Sequence, residues 1–475
     1  PIKAAKTVTT SLPKIYKSWL KIGLGNYTTP MAEFNISNLR SKDLAYGAYL
    51  YHKSSYGNIR LSNDHKVPAG YAVNNISLYG KKFYTRATLS GNLRLDHQAF
   101  NYYGYNTALF SDPLPDMEND SIRQKTYLAG FDLTLSSNNN DQTQLNYNVS
   151  ASVDYFFDRR YKENSLVIKA GLNKYFNALL FGLDLSLDNS NLKGATDSIR
   201  NTIFRFNPWI SKQSEDWKFL LGFEAVADIA NITNYYFYPR VNLDITIIDD
   251  VLVPFIGLSG ELTKNNYRNI FSENQFVNPG SYLKNSSSNL IVYGGLKGSI
   301  SPAVRFRADV SYTAFKNYHF FINDTLLPLE NQFTAVYDDI DLITYHGQIS
   351  VQPSGSFEVM LDGKYFDFST YDQPKPWHKP DYRIGLDANY TYKNKFAAGV
   401  EFTLTGNRWV WNHLVSGETD KLNPVGDINL HLKYHYSKLL SVFADLYNLT
   451  DRSYMLWNQY PSQRFNFLLG FAYKL

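Results

Sequence analysis

The sequence predicts an all-β protein: a transmembrane, antiparallel, up-and-down β-barrel of about 22 strands. Three observations carry this. The chain ends on Arg464-Phe465-Asn466-Phe467-Leu468-Leu469-Gly470-Phe471-Ala472-Tyr473-Lys474-Leu475, where Phe465, Phe467, Leu469, Phe471, Tyr473 and Leu475 take alternate positions. On a strand these side chains share one face, which is therefore apolar, aromatic and continuous to the last residue. In water such an edge invites pairing with other chains; a barrel closed within lipid has no edge. Composition agrees: there are 38 Tyr and 31 Phe, yet mean hydropathy is only −0.34. The longest apolar runs, such as Val251–Leu258, fall far short of the ~20 residues of a spanning helix, which excludes a helical membrane protein. Amphipathic rings suit the two aromatic girdles of a barrel. Finally, short polar turns alternate with mostly longer connections along the whole chain.

Taken in order, residues 1–14 read as a leader and residues 15–475 as the barrel, with long extracellular loops. The clearest strand is Leu145–Tyr155. There Leu145, Tyr147, Val149, Ala151, Val153 and Tyr155 are expected to face lipid, and Asn146, Asn148, Ser150, Ser152 and Asp154 a wet lumen. The same period-two pattern marks Phe181–Asp188, Val304–Tyr312, Tyr382–Tyr390 and Ile428–Tyr436. Turns are expected at Asn38–Lys42, Lys81–Thr85, Ser136–Asp141, Lys174–Asn177, Ser211–Asp216, Asp249–Asp250, Ser301–Pro302, Pro353–Ser356, Lys393–Lys395 and Ser437–Lys438. Between them lie large connections at Ser54–Tyr71, Gln98–Ser121, Lys264–Asn289, Lys316–Ile340, Ser369–Pro380, Asn407–Val425 and Thr450–Gln463, and short ones after Gly25, Asp158 and Asp228. Counting ten turns and eleven loops, one more than those named, gives about 22 strands, with both termini on the turn side, periplasmic in outer-membrane barrels.

The segment Asn448-Leu449-Thr450-Asp451-Arg452-Ser453-Tyr454, followed by Trp457, Tyr460-Pro461 and Arg464, resembles the C-terminal end of TonB-dependent receptors. That pattern is an N-L-x-D-x-x-Y segment, then a Y-P-x-P-G-R-like loop and the last strand. The chain departs from it at Ser462-Gln463 and in ending on Leu475. Gly23–Pro30, Tyr51–Gly57 and Asn101–Tyr105 are similar to receptor-like barrels of Bacteroidota outer membranes. The resemblance implies the outer membrane of a Gram-negative bacterium and contact with outer-membrane lipid and lipopolysaccharide. It also implies a plug of roughly 120 to 150 residues ahead of the first strand, and a periplasmic energy-coupling protein. Strand one is expected near Ile15, so Pro1–Lys14 is too short for such a plug.

The search for chemistry finds little. There is no Cys, net charge is +4 without a basic run, and nucleic acid is not suggested. No nucleophile elbow, phosphate loop, zinc-helix or calcium-loop motif is present, so neither enzyme activity, a cofactor nor a metal is expected. His431, Lys433 and His435 share the lumenal side of one strand; the two histidines lie ~13 Å apart, too far to share a metal. Asp338, Asp339 and Asp341 form an acidic group on a loop. Arg305, Arg307 and Arg383 are expected to point inward. They fit an anionic ligand or a plug carboxylate, or ion pairs with Asp309 and Asp387 across neighbouring strands. Trp409 and Trp411, on a loop, fit a ligand-stacking surface or a girdle anchor.

Three functions are compatible with this reading: receptor-type uptake, an accessory barrel sealed by other outer-membrane proteins or lipoproteins in a larger assembly, and a plugless diffusion channel. A barrel this wide is expected to have an open lumen, unless the polar loops at Gln98–Ser121, Lys264–Asn289 and Lys316–Ile340 fold inward.

Overall fold

The computed structural model describes residues 16–38, 41–110, 122–138, 144–194, 198–230, 232–248, 251–278, 280, 283–412 and 419–475. The leader at residues 1–14 lies outside them. Twenty-two strands form one antiparallel sheet that closes on itself. The first strand, Ser18–Gly25, pairs with the last, Asn466–Lys474, from Trp19 opposite Lys474 to Gly25 opposite Leu468. Ser18 N–H donates to the carbonyl of Leu475 (3.2 Å) and Leu475 N–H to that of Ser18 (2.7 Å). The terminal apolar strand therefore has a partner on each side and no free edge.

The facing follows the period-two reading. Val149 pairs with Ala170 and Val153 with Leu166, and Val149, Val153, Leu166 and Ile168 are all exposed. Leu469 and Phe471 on the last strand, Phe131 and Leu133 on Arg123–Ser137, and Phe204 and Phe206 on Ser198–Gln213 are exposed likewise. Large aliphatic and aromatic side chains left bare around the outside of a closed barrel form the lipid-facing belt. The opposite face is polar and ion-paired. Arg94 bridges Asp132 (2.8 Å) and Asp154 (3.0 Å), Arg240 meets Asp184 (3.2 Å), and Lys297 meets Asp244 (2.9 Å). A wet lumen solvates such groups; a lipid face would not.

All the expected turns lie between paired strands; residues 39–40, 139–141 and 249–250 of them fall outside the described residues. The connections differ more. Ser54–Tyr71 carries a small hairpin, Asn58–Arg60 with Lys66–Pro68. Asn407–Val425 carries another, Arg408–Trp411 with Thr419–Leu422. Lys264–Asn289 holds a short helix, α1, Tyr267–Glu273. Asn266 caps it by accepting the Asn269 N–H, and no glycine follows its last turn.

Lys316–Ile340 is mostly not a loop. Val304–Asn323 and Phe333–Ser354 are strands of 20 and 22 residues, roughly twice what a bilayer requires, and only residues 324–332 connect them. The period of two is broken by a bulge between Phe315 and Tyr318, which moves every later side chain to the other face. Beyond it Phe320, Phe321 and Ile322 are consecutive apolar residues, because this rising hairpin is covered on both sides. Phe321, Phe333 and Ala335 pack into one apolar cluster, and Phe320, Ile322 and Val336 into another with Trp377 and Trp409.

Candidate functional site at the mouth of the barrel

The largest apolar core of the molecule lies at the loop end. Ile59 and Val67 from the first small hairpin, Tyr102, Tyr103 and Tyr105 after strand Ala87–Asn101, and Tyr267, Ile270, Phe271 and Phe276 on and beyond α1 join it. So do Phe333 on the rising hairpin and Tyr460 near the last strand. These segments start from points all round the barrel. Tyr460 is the keystone: its ring stacks on Phe276 (3.7 Å between centroids) and meets Tyr103 edge-on (4.9 Å), and its hydroxyl donates to the carbonyl of Asn331. The Tyr103 hydroxyl donates to the carbonyl of Pro461 (2.8 Å). A Cβ on Gly104 would stand 2.6 Å from the Gln459 carbonyl oxygen, so only glycine lets these two connections touch. Burial drives the hydroxyls of Tyr103 and Tyr460 far above the usual phenol range.

The α1 connection crosses the mouth. Glu163, on the far strand Lys162–Phe176, accepts the Tyr267 N–H (2.8 Å) and the Asn266 side-chain amide (2.8 Å); Arg268 reaches Asp154 and Lys264 reaches Asp188. Its other end is held by Glu273, whose two oxygens meet Lys379 Nζ and His319 Nε2, each at 2.6 Å. Burial alone would raise the Glu273 carboxyl; the hydrogen bond from His319 and the charge of Lys379 pull it down to about 2. His378 donates from Nδ1 to the Phe321 carbonyl (2.7 Å) and accepts the Asn458 N–H at Nε2 (3.4 Å). Burial, with Arg408 and Lys379 nearby, pushes its imidazole down to about 3 and keeps it neutral.

Beneath this roof lies a cavity of about 700 Å³ lined by Phe276, Phe366, Phe368, Trp457, Arg383 and Glu273, among others. Arg383 is exposed to it and makes no ion pair among the described residues. Lys379 and Arg408 also line it; Arg408 donates to the carbonyls of Met455 (2.5 Å) and Leu456 (2.5 Å). Among the described residues the lining thus offers three cationic side chains against one carboxylate, on aromatic walls.

The other residues singled out by the sequence scatter over the barrel. Arg307 pairs with Asp309 two residues along its own strand, and His346, which sequence reasoning missed, joins Asp309 (3.1 Å) to Asp362 (2.8 Å). Arg305 has no ion pair among the described residues. His431 Nδ1 meets Asp445 (2.9 Å) and His435 Nδ1 meets Ser441 (2.8 Å); with Asp387 and Lys433, His431 lines a separate lumenal cavity of about 580 Å³ near the first and last strands. Trp409 packs against the cluster of Phe320 and Trp377, with Lys421 and Lys375 over its ring (4.0 and 4.5 Å), while Trp411 lines a depression in the roof. The acidic group has structural partners: Asp338 accepts the N–H groups of Tyr371, Asp372 and Gln373, and Asp341 the hydroxyls of Tyr312 and Tyr371. Asn448, Asp451 and Arg464 close the base of the last connection: Asn448 donates to the Arg452 carbonyl (2.7 Å), and Asp451 accepts from Arg464 (2.9 Å).

No family model matches the chain, and no curated protein matches it. Solved structures do. The FrpB iron transporter from Neisseria meningitidis superposes with a TM-score of 0.75 at 9% identity, over 98% of this chain and 82% of that one. The siderophore receptor PirA from Acinetobacter baumannii gives 0.74 at 12%, over 96% and 80%. The pyoverdine outer membrane receptor FpvA from Pseudomonas aeruginosa gives 0.71 at 12%, over 97% and 78%. These structural neighbours are TonB-dependent receptors. The chain has the fold of the TonB-dependent receptor barrel. Its closed sheet and apolar belt place it in the outer membrane of a Gram-negative cell. The neighbours are transport receptors rather than enzymes. They come from other Gram-negative genera, so the narrower resemblance to Bacteroidota barrels gains no support from them.

Proposed function

We propose that the protein is an outer-membrane receptor that takes up a negatively charged ligand, with the loop-end roof as its outer gate. One observation carries the reading: connections from around the barrel share a single apolar core across the mouth, above a polar, ion-paired lumen. A diffusion channel keeps its mouth open; a receptor admits a ligand by rearranging loops that otherwise exclude solvent. The shared loop core supports a lumen covered at its extracellular end by the protein's own loops, the exception attached to the expectation of an open lumen. The excess of positive charge around Arg383 favours an anionic ligand, and the aromatic walls favour one with flat or conjugated groups. Since the neighbours named above include an iron transporter, a siderophore receptor and a receptor bound to pyoverdine, anionic iron chelates are the first ligands to test.

The test is uptake of labelled iron chelates by cells that express the chain and lack other receptors, with the inner membrane energised or uncoupled. Energy-dependent uptake that falls about tenfold in Arg383→Ala supports the proposal. Uptake insensitive to uncoupling makes the protein a diffusion channel. Uptake confined to neutral chelates removes the role given to Arg383.

A further inference from the structure

Among the described residues, one anion in the cavity beneath the roof belongs to the chain itself. Glu273, the last residue of α1, lines the cavity, and its two carboxylate oxygens meet Lys379 Nζ and His319 Nε2, each at 2.6 Å. The three cations of the lining are therefore not equivalent. Lys379 is taken: its Nζ also lies over the rings of Tyr318 and Phe321 (5.2 and 5.8 Å), which shield the pair from water. Arg383 is open: it is exposed and has no ion pair among the described residues. Arg408 is fixed by the carbonyls of Met455 and Leu456, yet its buried Nε–H meets no acceptor among the described residues, and a buried donor left unpaired is costly. Arg383 stands within electrostatic range of both other cations, so one ligand can span them.

This arrangement links the charge of a ligand to the opening of the roof. α1 crosses the mouth, and its seven residues are too few to hold a helix alone. Its two ends are fixed by Glu163 on the far strand and by the Glu273–Lys379 pair. An anion with one acidic group is satisfied by Arg383 and leaves that pair intact. An anion with two or more acidic groups reaches Lys379 by displacing the Glu273 carboxylate, and the C-terminal end of α1 then loses its ion pair. A ligand that binds the released state better shifts the roof towards it by that difference in affinity. We propose, building on the reading of this cavity as an anion site, that Glu273 is a resident competitor that sets ligand specificity. It selects multivalent anions, which place one acidic group on Arg383 and take Lys379 with another, and so release α1.

The experiment uses the full chain in nonionic detergent at about 0.3 M salt, which screens distant charges. Benzene-1,3,5-tricarboxylate is the multivalent probe and benzoate its monovalent counterpart, both flat enough for the aromatic walls. Affinity is read by isothermal titration calorimetry, and the state of α1 by amide exchange of residues 267–276. Saturating tricarboxylate should speed exchange there in the wild type, and benzoate should not. Glu273→Gln and Lys379→Gln break the same ion pair, yet should act in opposite directions. The first should bind the tricarboxylate about tenfold more tightly and the second about tenfold more weakly, with benzoate changed by no more than about threefold in either. In Glu273→Gln, exchange of residues 267–276 should be fast already and unmoved by either probe. A heat-modifiability gel confirms that each variant is a folded barrel. Wild-type exchange unmoved by the tricarboxylate, or shifts in its affinity no larger than those of benzoate, overturns the proposal and leaves the uptake reading standing. Binding of neither anion to the wild type overturns both.

Discussion

At the scale of the residue, the roof hangs on a few buried polar groups whose protonation is fixed by packing. His378 is held neutral, down to about 3, whereas in an opened roof it returns to its ordinary value near 6.5. The opened state therefore takes up a proton below about pH 6.5 and the closed state does not. Closure is strongest above that pH and weakens as pH falls towards 3, by about 2 kcal/mol at pH 5. Glu273, held at about 2, acts in the same direction at lower pH: its stabilisation is present above its ordinary value and is lost as pH falls through 4.5 towards 2. Amide exchange of residues 371–381 and 448–463, corrected for intrinsic rates, should report easier opening at pH 5.0 than at pH 7.5. His378→Gln should flatten that difference. An opening free energy identical at the two values would show that His378 does not couple to the roof. On the wall, Val149 pairs with Ala170 and is exposed outward. Val149→Arg should cost about 2–4 kcal/mol in lipid if the residue lies near the midplane, read from folding yield in vesicles against denaturant, while Ser150→Arg, one position on and facing the lumen, should fold like the wild type.

At the scale of the element, the connection after Asn101 and the one before the last strand approach each other closely. Gly104 leaves no room for a Cβ against Gln459 and the Tyr460 ring. Gly104→Val should push the two apart and loosen Tyr103 and Tyr460 without touching the barrel. Limited proteolysis should then cut residues 448–463 faster than in the wild type, with heat-modifiability unchanged. Equal cutting rates would mean that the connections are held by their other contacts alone. The short α1 is not stable by its own propensity, since seven residues are too few; Glu163 from the far wall and Lys379 from a neighbouring connection fix its two ends. That placement is invisible in the sequence, where Tyr267, Ile270 and Phe271 are the apolar residues of a short segment in a polar loop. The rising hairpin escapes a sequence reading for the opposite reason. Its bulge and its two covered faces erase the period of two on which strand reading rests.

At the scale of the molecule, the roof decides how the barrel behaves as a conductor. Reconstituted in planar bilayers, the wild-type chain should be quiet or pass only small currents. A variant in which residues 267–276 are replaced by a short Gly/Ser linker should give large, noisy conductance, because the crossing segment and Phe276 leave the core. Large steady conductance from the wild type would show that the roof does not close the mouth.

The sequence alone determined the strand count, the turns, the lipid and lumen faces and the membrane. Each of these follows from a period of two read locally, one strand at a time, against a uniform solvent on either side. It also singled out Arg383 as a lumenal cation. Only the tertiary structure decided that Arg383 stands without an ion pair among the described residues while Arg307 is neutralised by Asp309, and that Glu273, His378 and Arg408 gather beside it from three connections. It likewise decided that connections from around the barrel share one apolar core at its mouth. Those contacts join residues such as Tyr103 and Pro461, 358 positions apart. They depend on the circumference and closure of the whole sheet, which no local pattern encodes.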